Sequence, residues 1–163
     1  MARGRVPSRI VVGVSGSAAS VAALRWAAAE AALRGAELHA VHVWEDRHRL
    51  LAPYAPLSGV PSVAESRESA SRLLADSVRD VLGHRPVVQV VMEVAGGLAA
   101  RVLLDRAAGA DLLVLGQRGP QSSAPAEPGP MARACLRGSP CPVVIAEDDS
   151  SSGCAVGRSS SPS

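Results

Sequence analysis

The stretch GADLLVLGQRG, from Gly109 to Gly119, brings a helix-ending glycine, an apolar run and a glycine turn together within eleven residues. Its apolar run is continuous and does not alternate with polar residues. This is typical of a strand covered on both faces, as the strands of parallel sheets are. The same order recurs along the chain, and it predicts β-strands that alternate with crossover helices.

Four further runs have the same apolar, β-branched character. They are RIVVGV from Arg9, ELHAVHVW from Glu37, VVQVVMEV from Val87 and PVVIA from Pro142. A helical pattern lies between successive runs and ends at a glycine, the residue best suited to a left-handed helix cap. The glycines are Gly35, Gly83, Gly109 and Gly138.

Helices are therefore expected at 18–34, from Ser62 onward, at 98–108 and at 130–137. Ser62 is followed three residues later by Glu65, which is the pattern of a capping box. One face of this second helix carries four apolar residues, which should pack on the sheet. They are Ala70, Leu74, Val78 and Val81.

These elements predict one α/β domain with three layers. Right-handed crossovers favour a doubly wound, parallel, five-stranded sheet with strand order 3-2-1-4-5. Ligands bind such sheets at the carboxyl ends of the strands, where the winding reverses. Here that crevice lies between the first and fourth strands, whose carboxyl ends carry GVSGS and GQRG.

The domain is expected to span 9–147, with a flexible N-terminus at 1–8. The polar, serine-rich segment 148–163 is predicted to be a disordered tail. The segment 45–61 contains three prolines and should form a surface loop near the end of the second strand; long loops of this kind are often functional.

Composition argues against several classes of protein. The net charge is +2, and the seventeen basic residues, all arginine, are interspersed with acids; with two Trp, one Tyr and no Phe, the sequence lacks the features of a nucleic-acid binder. No apolar stretch approaches the ~20 residues of a membrane-spanning helix. Three cysteines without CxxC spacing suggest neither disulfides nor a zinc site, so a cytoplasmic location is expected.

No catalytic residue or metal ligand set is predicted. The first turn is not a nucleophile elbow, because Ser17 stands where G-x-S-x-G requires glycine. No Walker G-K-[ST] follows it. His39 and His42 lie three residues apart on one strand and should point to opposite faces, which excludes joint metal ligation.

The remaining candidate begins at Gly116 and reads G-x-x-G, nine residues, then glycine. The first two glycines, Gly116 and Gly119, let the backbone turn closely against a ligand. The third, Gly129, leads into a helix whose N-terminus attracts anions. This combination predicts a loop that holds phosphate.

Four segments resemble the universal stress protein family, from Arg9 to Ala146. They are IVVGVSGSAASVAALRWAAAEA for its opening strand and helix, LHAVHVW for its second strand, GADLLVLGQRG for its fourth strand and turn, and ACLRGSPCPVVI for its close. The resemblance implies an adenine-nucleotide alpha hydrolase-like fold. It also implies ATP as a ligand, with Mg²⁺ when ATP is bound, and no cofactor for folding.

The resemblance further implies positions for the ligand and for a second copy of the chain. The implied nucleotide contacts are Gly13, Val14 and Ser15 in the first turn, Val43 at the adenine, and Leu115, Gly116, Arg118, Gly119, Gly129, Pro130, Met131 and Ala132 around the phosphates. The implied homodimer forms through the last strand, at Val143, Val144, Ile145 and Ala146. Pro142 suits the start of such an edge strand.

Several residues depart from the family pattern. Ser15 stands where ATP-binding relatives commonly have Asp, and Pro130 replaces a Ser or Thr. Ala132 supplies no hydroxyl, and Glu127 adds a charge of the wrong sign. The loop is therefore expected to keep its shape, since Pro suits the first position of a helix, while its grip on phosphate weakens.

Three functions stay open at this point. The first is adenine nucleotide binding or sensing in a stress response, without catalysis. The second is a nucleotide-independent, dimeric interaction module of the same fold. The third and weakest is slow ATP hydrolysis.

Overall fold

The computed structural model describes residues 7–45, 53–54, 58–117 and 127–148. Strands and helices alternate along these residues as the sequence predicts. They are β1 (Arg9–Gly13), α1 (Ala18–Arg34), β2 (Glu37–Trp44), α2 (Val63–Leu82), β3 (Val90–Gly96), α3 (Ala99–Ala107), β4 (Leu112–Gly116), α4 (Pro130–Gly138) and β5 (Val143–Ala146).

The five strands form one parallel sheet in the order β3-β2-β1-β4-β5. This confirms the predicted strand order. The winding reverses between β1 and β4, so a crevice lies there at the carboxyl ends of the strands. β3 and β5 are the two edges.

The core lies in two layers, one on each face of the sheet. Alternate strand residues point to opposite faces, so Ile10 and Val12 pack on the first face while Val11 packs on the second. Helices α1 and α2 cover the first face, and α3 and α4 cover the second. The sandwich of helix, sheet and helix is the predicted three-layer arrangement.

The helices begin and end at local signals in the sequence. The hydroxyl of Ser17 accepts a hydrogen bond from the Ser20 N–H at 3.1 Å and caps α1. Ser62 and Glu65 form the predicted capping box at the start of α2, and these hydrogen bonds lower the pKa of the Glu65 carboxyl. Ala70, Leu74 and Val78 are buried, with Val81 packed beside them.

Polar residues fix α3 beneath the first strand. The Arg9 guanidinium donates to the Ala108 carbonyl at 2.7 Å, which caps the end of the helix. Arg106 donates through Nε to Glu93 on β3 at 2.7 Å, and this bond lowers the pKa of the Glu93 carboxyl. α3 thereby holds Leu103 against Gly13, where an added Cβ would lie 3.2 Å from a Leu103 methyl group.

Most boundaries fall within one or two residues of the sequence-based expectation, and two of the differences have a clear structural cause. β3 begins at Val90 rather than Val87, because its partner strand begins at Glu37 and pairs Leu38 with Val90. Gly138 does not adopt the left-handed cap conformation: it is the last helical residue of α4, and Ser139 caps the helix. A Cβ on Gly138 would lie 3.2 Å from Leu104, so the glycine allows α4 to pack closely on α3.

Gly116 is required by the packing of α1 on the sheet. A Cβ at this position would lie 2.6 Å from the backbone carbon of Ala19 and 2.8 Å from the nitrogen of Ser20. Both are backbone atoms and cannot be relieved by a rotamer change. The end of β4 and the first turn of α1 therefore touch only because residue 116 has no side chain.

Gly116→Ala is expected to destabilise the fold by about 1–3 kcal/mol, because the new methyl group overlaps the α1 backbone. Gly129→Ala is the matched control: its φ is −62°, and a Cβ there meets no atom of the described residues closer than 4.0 Å. Urea unfolding of both variants measures the difference. Equal stability of the two would contradict the role assigned to Gly116.

Candidate functional site

The crevice between β1 and β4 is bordered by the starts of two helices. Gly116 at the end of β4 touches the first turn of α1 at Ala19 and Ser20. The chain that leaves β4 returns to the same place, because the Gly129 N–H donates to the Gln117 carbonyl at 3.1 Å. Two of the three glycines of the predicted loop, Gly116 and Gly129, are thus brought together at the crevice.

The turn from β1 to α1 contains two serines that contact each other. The Ser15 and Ser17 hydroxyl oxygens lie 3.0 Å apart, and the Ser17 N–H points to the Ser15 hydroxyl at 3.4 Å. Gly16 between them has a φ of +84°, which glycine adopts without strain. Ser15 is exposed and Val14 is buried, so the turn presents a hydroxyl and not an apolar side chain.

Gln117, the first residue after β4, is bonded to the last strand. The Gln117 N–H donates to the Ala146 carbonyl at 2.9 Å, which continues the pairing of β4 with β5. Arg118 and Gly119, two of the predicted contacts, lie outside the described residues. Glu127, two residues before Gly129, is exposed.

Pro130 occupies the first helical position of α4, as predicted. Gly129 precedes it with ψ 170°, the extended conformation that a following proline favours. The first intrahelical bond runs from the Arg133 N–H to the Gly129 carbonyl at 2.9 Å. The N–H groups of Met131 and Ala132 come before it and are the backbone donors at this helix mouth.

Two of the predicted contacts have buried side chains. Leu115 is 0% exposed and Ala132 is 2% exposed, both within the core of the second face. Only their backbone groups are therefore able to face a ligand. Cys135 lies one turn further along α4 and is also buried, and this burial raises the pKa of its thiol.

The end of β2 carries Val43, the residue expected at the adenine, and a neighbour to which sequence reasoning gave no role. Val43 is half-buried and packs against the core of the second face. His42 Nδ1 lies 2.7 Å from the Val14 carbonyl oxygen. Trp44 covers Gly96 on β3, where a Cβ would lie 3.0 Å from the indole ring.

The two histidines of β2 have separate partners, as their spacing predicts. His39 Nε2 contacts the Glu37 carboxylate at 3.3 Å, while His42 contacts the β1–α1 turn. Across the described ranges, no three His, Cys, Asp or Glu side chains are grouped so that they could hold a metal ion. The same ranges contain no helix long and apolar enough to cross a membrane.

Comparison with known proteins identifies one family that this chain matches over most of its length. The profile of the universal stress protein family matches residues 7–147. A curated relative, a universal stress protein of Mycolicibacterium smegmatis, is 31% identical over 144 residues, which cover 86% of this chain and 48% of the relative. The chain thus spans about half the length of the curated relatives it matches.

Solved structures share the fold at low sequence identity. Universal stress protein UspA from Lactobacillus plantarum is 24% identical with a TM-score of 0.69, over 87% of this chain and 99% of that one. A universal stress protein in complex with cAMP is 20% identical, with a TM-score of 0.56 and coverage of 88% and 99%. A family protein from Arabidopsis thaliana with AMP bound is 17% identical, with a TM-score of 0.55 and coverage of 92% and 98%. These three likenesses establish the fold alone.

Alkylation of the native protein is expected to spare Cys135, because burial both shields its thiol and keeps it protonated. Cys141 is half-buried and should react before Cys135. Iodoacetamide treatment at pH 8 followed by peptide mass spectrometry measures both sites, with a urea-unfolded sample as control. Rapid modification of Cys135 in the folded protein would show that α4 is not packed as described.

Proposed function

Because the chain belongs to the universal stress protein family, we propose that the crevice between β1 and β4 binds or senses an adenine nucleotide, ATP foremost, in a stress response. The observation that carries this proposal is the convergence of two helix N-termini on one crevice. α1 is brought there by its contact with Gly116, and α4 by the bond from Gly129 to Gln117.

Two helix N-termini suit a phosphate chain. Each carries a partial positive charge and backbone N–H groups without intrahelical acceptors. Gly129 supports the proposal: its φ of −62° does not require glycine, and no described residue lies close to it, which agrees with room for a ligand. AMP and cAMP in two structures of the same fold agree with a ligand that carries adenine and phosphate.

The grip on the phosphates is proposed to be weak. Pro130 removes an N–H and a hydroxyl from the mouth of α4, and Ser15 offers a hydroxyl in place of a carboxylate. A hydrogen bond to a charged group contributes roughly 1.5–3 kcal/mol, so two losses correspond to roughly a hundredfold or more in affinity. Mg²⁺ would arrive with ATP, and the residue of the first turn that would hold it is Ser15, whose side chain is exposed, since the Ser17 hydroxyl caps α1.

Binding without turnover is the proposed mode of action. Members of the family are generally not enzymes. The role proposed here is that of a cytoplasmic protein whose surface changes with the nucleotide it holds. Slow ATP hydrolysis stays a weaker alternative, and it requires turnover that co-purifies with the chain and depends on Arg118.

Calorimetric titration with ATP, AMP and cAMP tests the site. Gly129→Val is expected to abolish binding, because its side chain enters the space beside the α4 N-terminus while the backbone stays extended and unstrained. Pro130→Ser is expected to tighten ATP binding by roughly a hundredfold, since it restores both an N–H and a hydroxyl that can bond to phosphate. Unfolding curves of both variants check that the fold is intact, and no heat from wild type at millimolar nucleotide would remove the proposal.

A nucleotide-independent interaction module is the second candidate. It is favoured by Pro130 at the helix mouth and by the proline-rich sequence 120–128 that precedes Gly129. If this candidate is right, Pro130→Ser does not increase the affinity for ATP and leaves partner binding unchanged. The titration above therefore separates the two candidates.

The last strand is the proposed dimer contact. β5 is an edge, and its inner groups bond to β4: the Pro142 carbonyl accepts from Leu113 and the Ala146 carbonyl from Gln117. By alternation, the N–H and C=O groups of Val143 and Ile145 point outward. A two-fold axis would pair these groups with the same strand of a second copy.

Val143→Pro is expected to shift a dimer towards monomer, because it removes an outward N–H while proline is tolerated at the start of an edge strand. Val144→Pro is the control, since the Val144 N–H faces β4 and its loss should lower thermal stability instead. Sedimentation velocity and thermal melts measure the two effects. Wild type that sediments as a monomer at high concentration would refute the dimer.

A further inference from the structure

His42 is the β2 side chain that contacts the β1–α1 turn, and the proposed function assigns it no role. Its Nδ1 lies 2.7 Å from the carbonyl oxygen of Val14, a residue 28 positions away in the chain. A carbonyl oxygen can only accept a hydrogen bond, so Nδ1 must carry the proton. The contact therefore fixes the tautomer of the ring.

Val14 is held at both of its backbone polar groups. Its N–H donates to the Val41 carbonyl at 2.8 Å, and its own carbonyl accepts from His42. These partners are consecutive residues of β2. The side chain of Val14 is 4% exposed, so burial also restrains it. The residue before Ser15 is thus hydrogen-bonded to β2 at both of its backbone polar groups and is also restrained by burial of its side chain.

The direction of the Val14 carbonyl sets the direction of the next N–H group. The described peptide bonds are trans, and in a trans peptide the C=O and the following N–H point in opposite directions. β1 has β2 on one side and β4 on the other. With the Val14 carbonyl turned to His42, the Ser15 N–H points away from β2, on the side of the crevice.

We propose that His42 is a positioning residue of the crevice: its Nδ1–H holds the Val14 carbonyl towards β2 and so aims the Ser15 N–H at the phosphates of an adenine nucleotide. The proposal rests on the nucleotide-binding function proposed above. His42 does not touch the ligand. Without the imidazole, the Val14 carbonyl is free to turn towards the crevice, where its negative end would repel phosphate oxygens.

Paired substitutions test this role. His42→Leu removes the donor and keeps a side chain of moderate size, whereas His42→Asn keeps an N–H donor near the position of Nδ1. We expect His42→Leu to weaken ATP and AMP binding about fivefold to tenfold, and His42→Asn to restore most of the affinity. His39→Leu is the matched control, because His39 contacts Glu37 and not the turn; it should leave the affinity unchanged.

A second measurement needs no nucleotide. Nitrogen-15 NMR of the wild type should show the neutral His42 ring protonated at Nδ1, and the heteronuclear NOE of the Ser15–Ser17 amides should fall in His42→Leu and recover in His42→Asn. If wild type binds no nucleotide but these signatures appear, the proposed function fails, and what stands is that His42 orders the Ser15–Ser17 turn. A ring protonated at Nε2, or a His42→Leu variant with an unchanged turn and unchanged affinity, overturns the inference; the tautomer decides it even if His42→Leu does not fold.

Discussion

The contact between Gly116 and the first turn of α1 is the constraint on which the crevice depends. With no side chain at 116, β4 ends directly against the backbone of Ala19 and Ser20. This close contact fixes the distance between α1 and the sheet, and it places the N-terminus of α1 beside the end of β4. The N-terminus of α4 is placed there by the hydrogen bond from the Gly129 N–H to the Gln117 carbonyl. This bond brings the end of the long connection back to the end of β4.

The glycines of the loop therefore serve different purposes. Gly116 is explained by the fold, since even a methyl group would overlap backbone atoms, and Gly13 is likewise held between Leu115 and Leu103. Among the described residues, Gly129 has no close neighbour and its φ is one that any residue adopts, which agrees with the proposed space for a ligand. Because these demands fall on separate residues, the proposed phosphate site can weaken at Pro130 while the architecture persists.

Local signals made most of the fold predictable from the sequence. Ser17, Gly35 and the Ser62–Glu65 capping box fix helix ends within a few residues of themselves, and the observed bounds match them. The start of β3 was misplaced because a strand begins where its partner does, and that partner lies some fifty residues earlier. The contact of His42 with Val14 escaped for the same reason: it is formed by neighbouring strands and leaves no local pattern.

Trp44 is an intrinsic fluorophore at the crevice end of the sheet. Trp44 is the last residue of β2, one residue beyond Val43, and its indole lies over Gly96 of β3. Trp26 lies on α1 and is 39% exposed. With no Phe and a single Tyr in the chain, near-ultraviolet emission comes almost wholly from these two rings. In a variant that lacks Trp26, tryptophan fluorescence would therefore come from Trp44, beside the strand ends where the adenine base is proposed to lie.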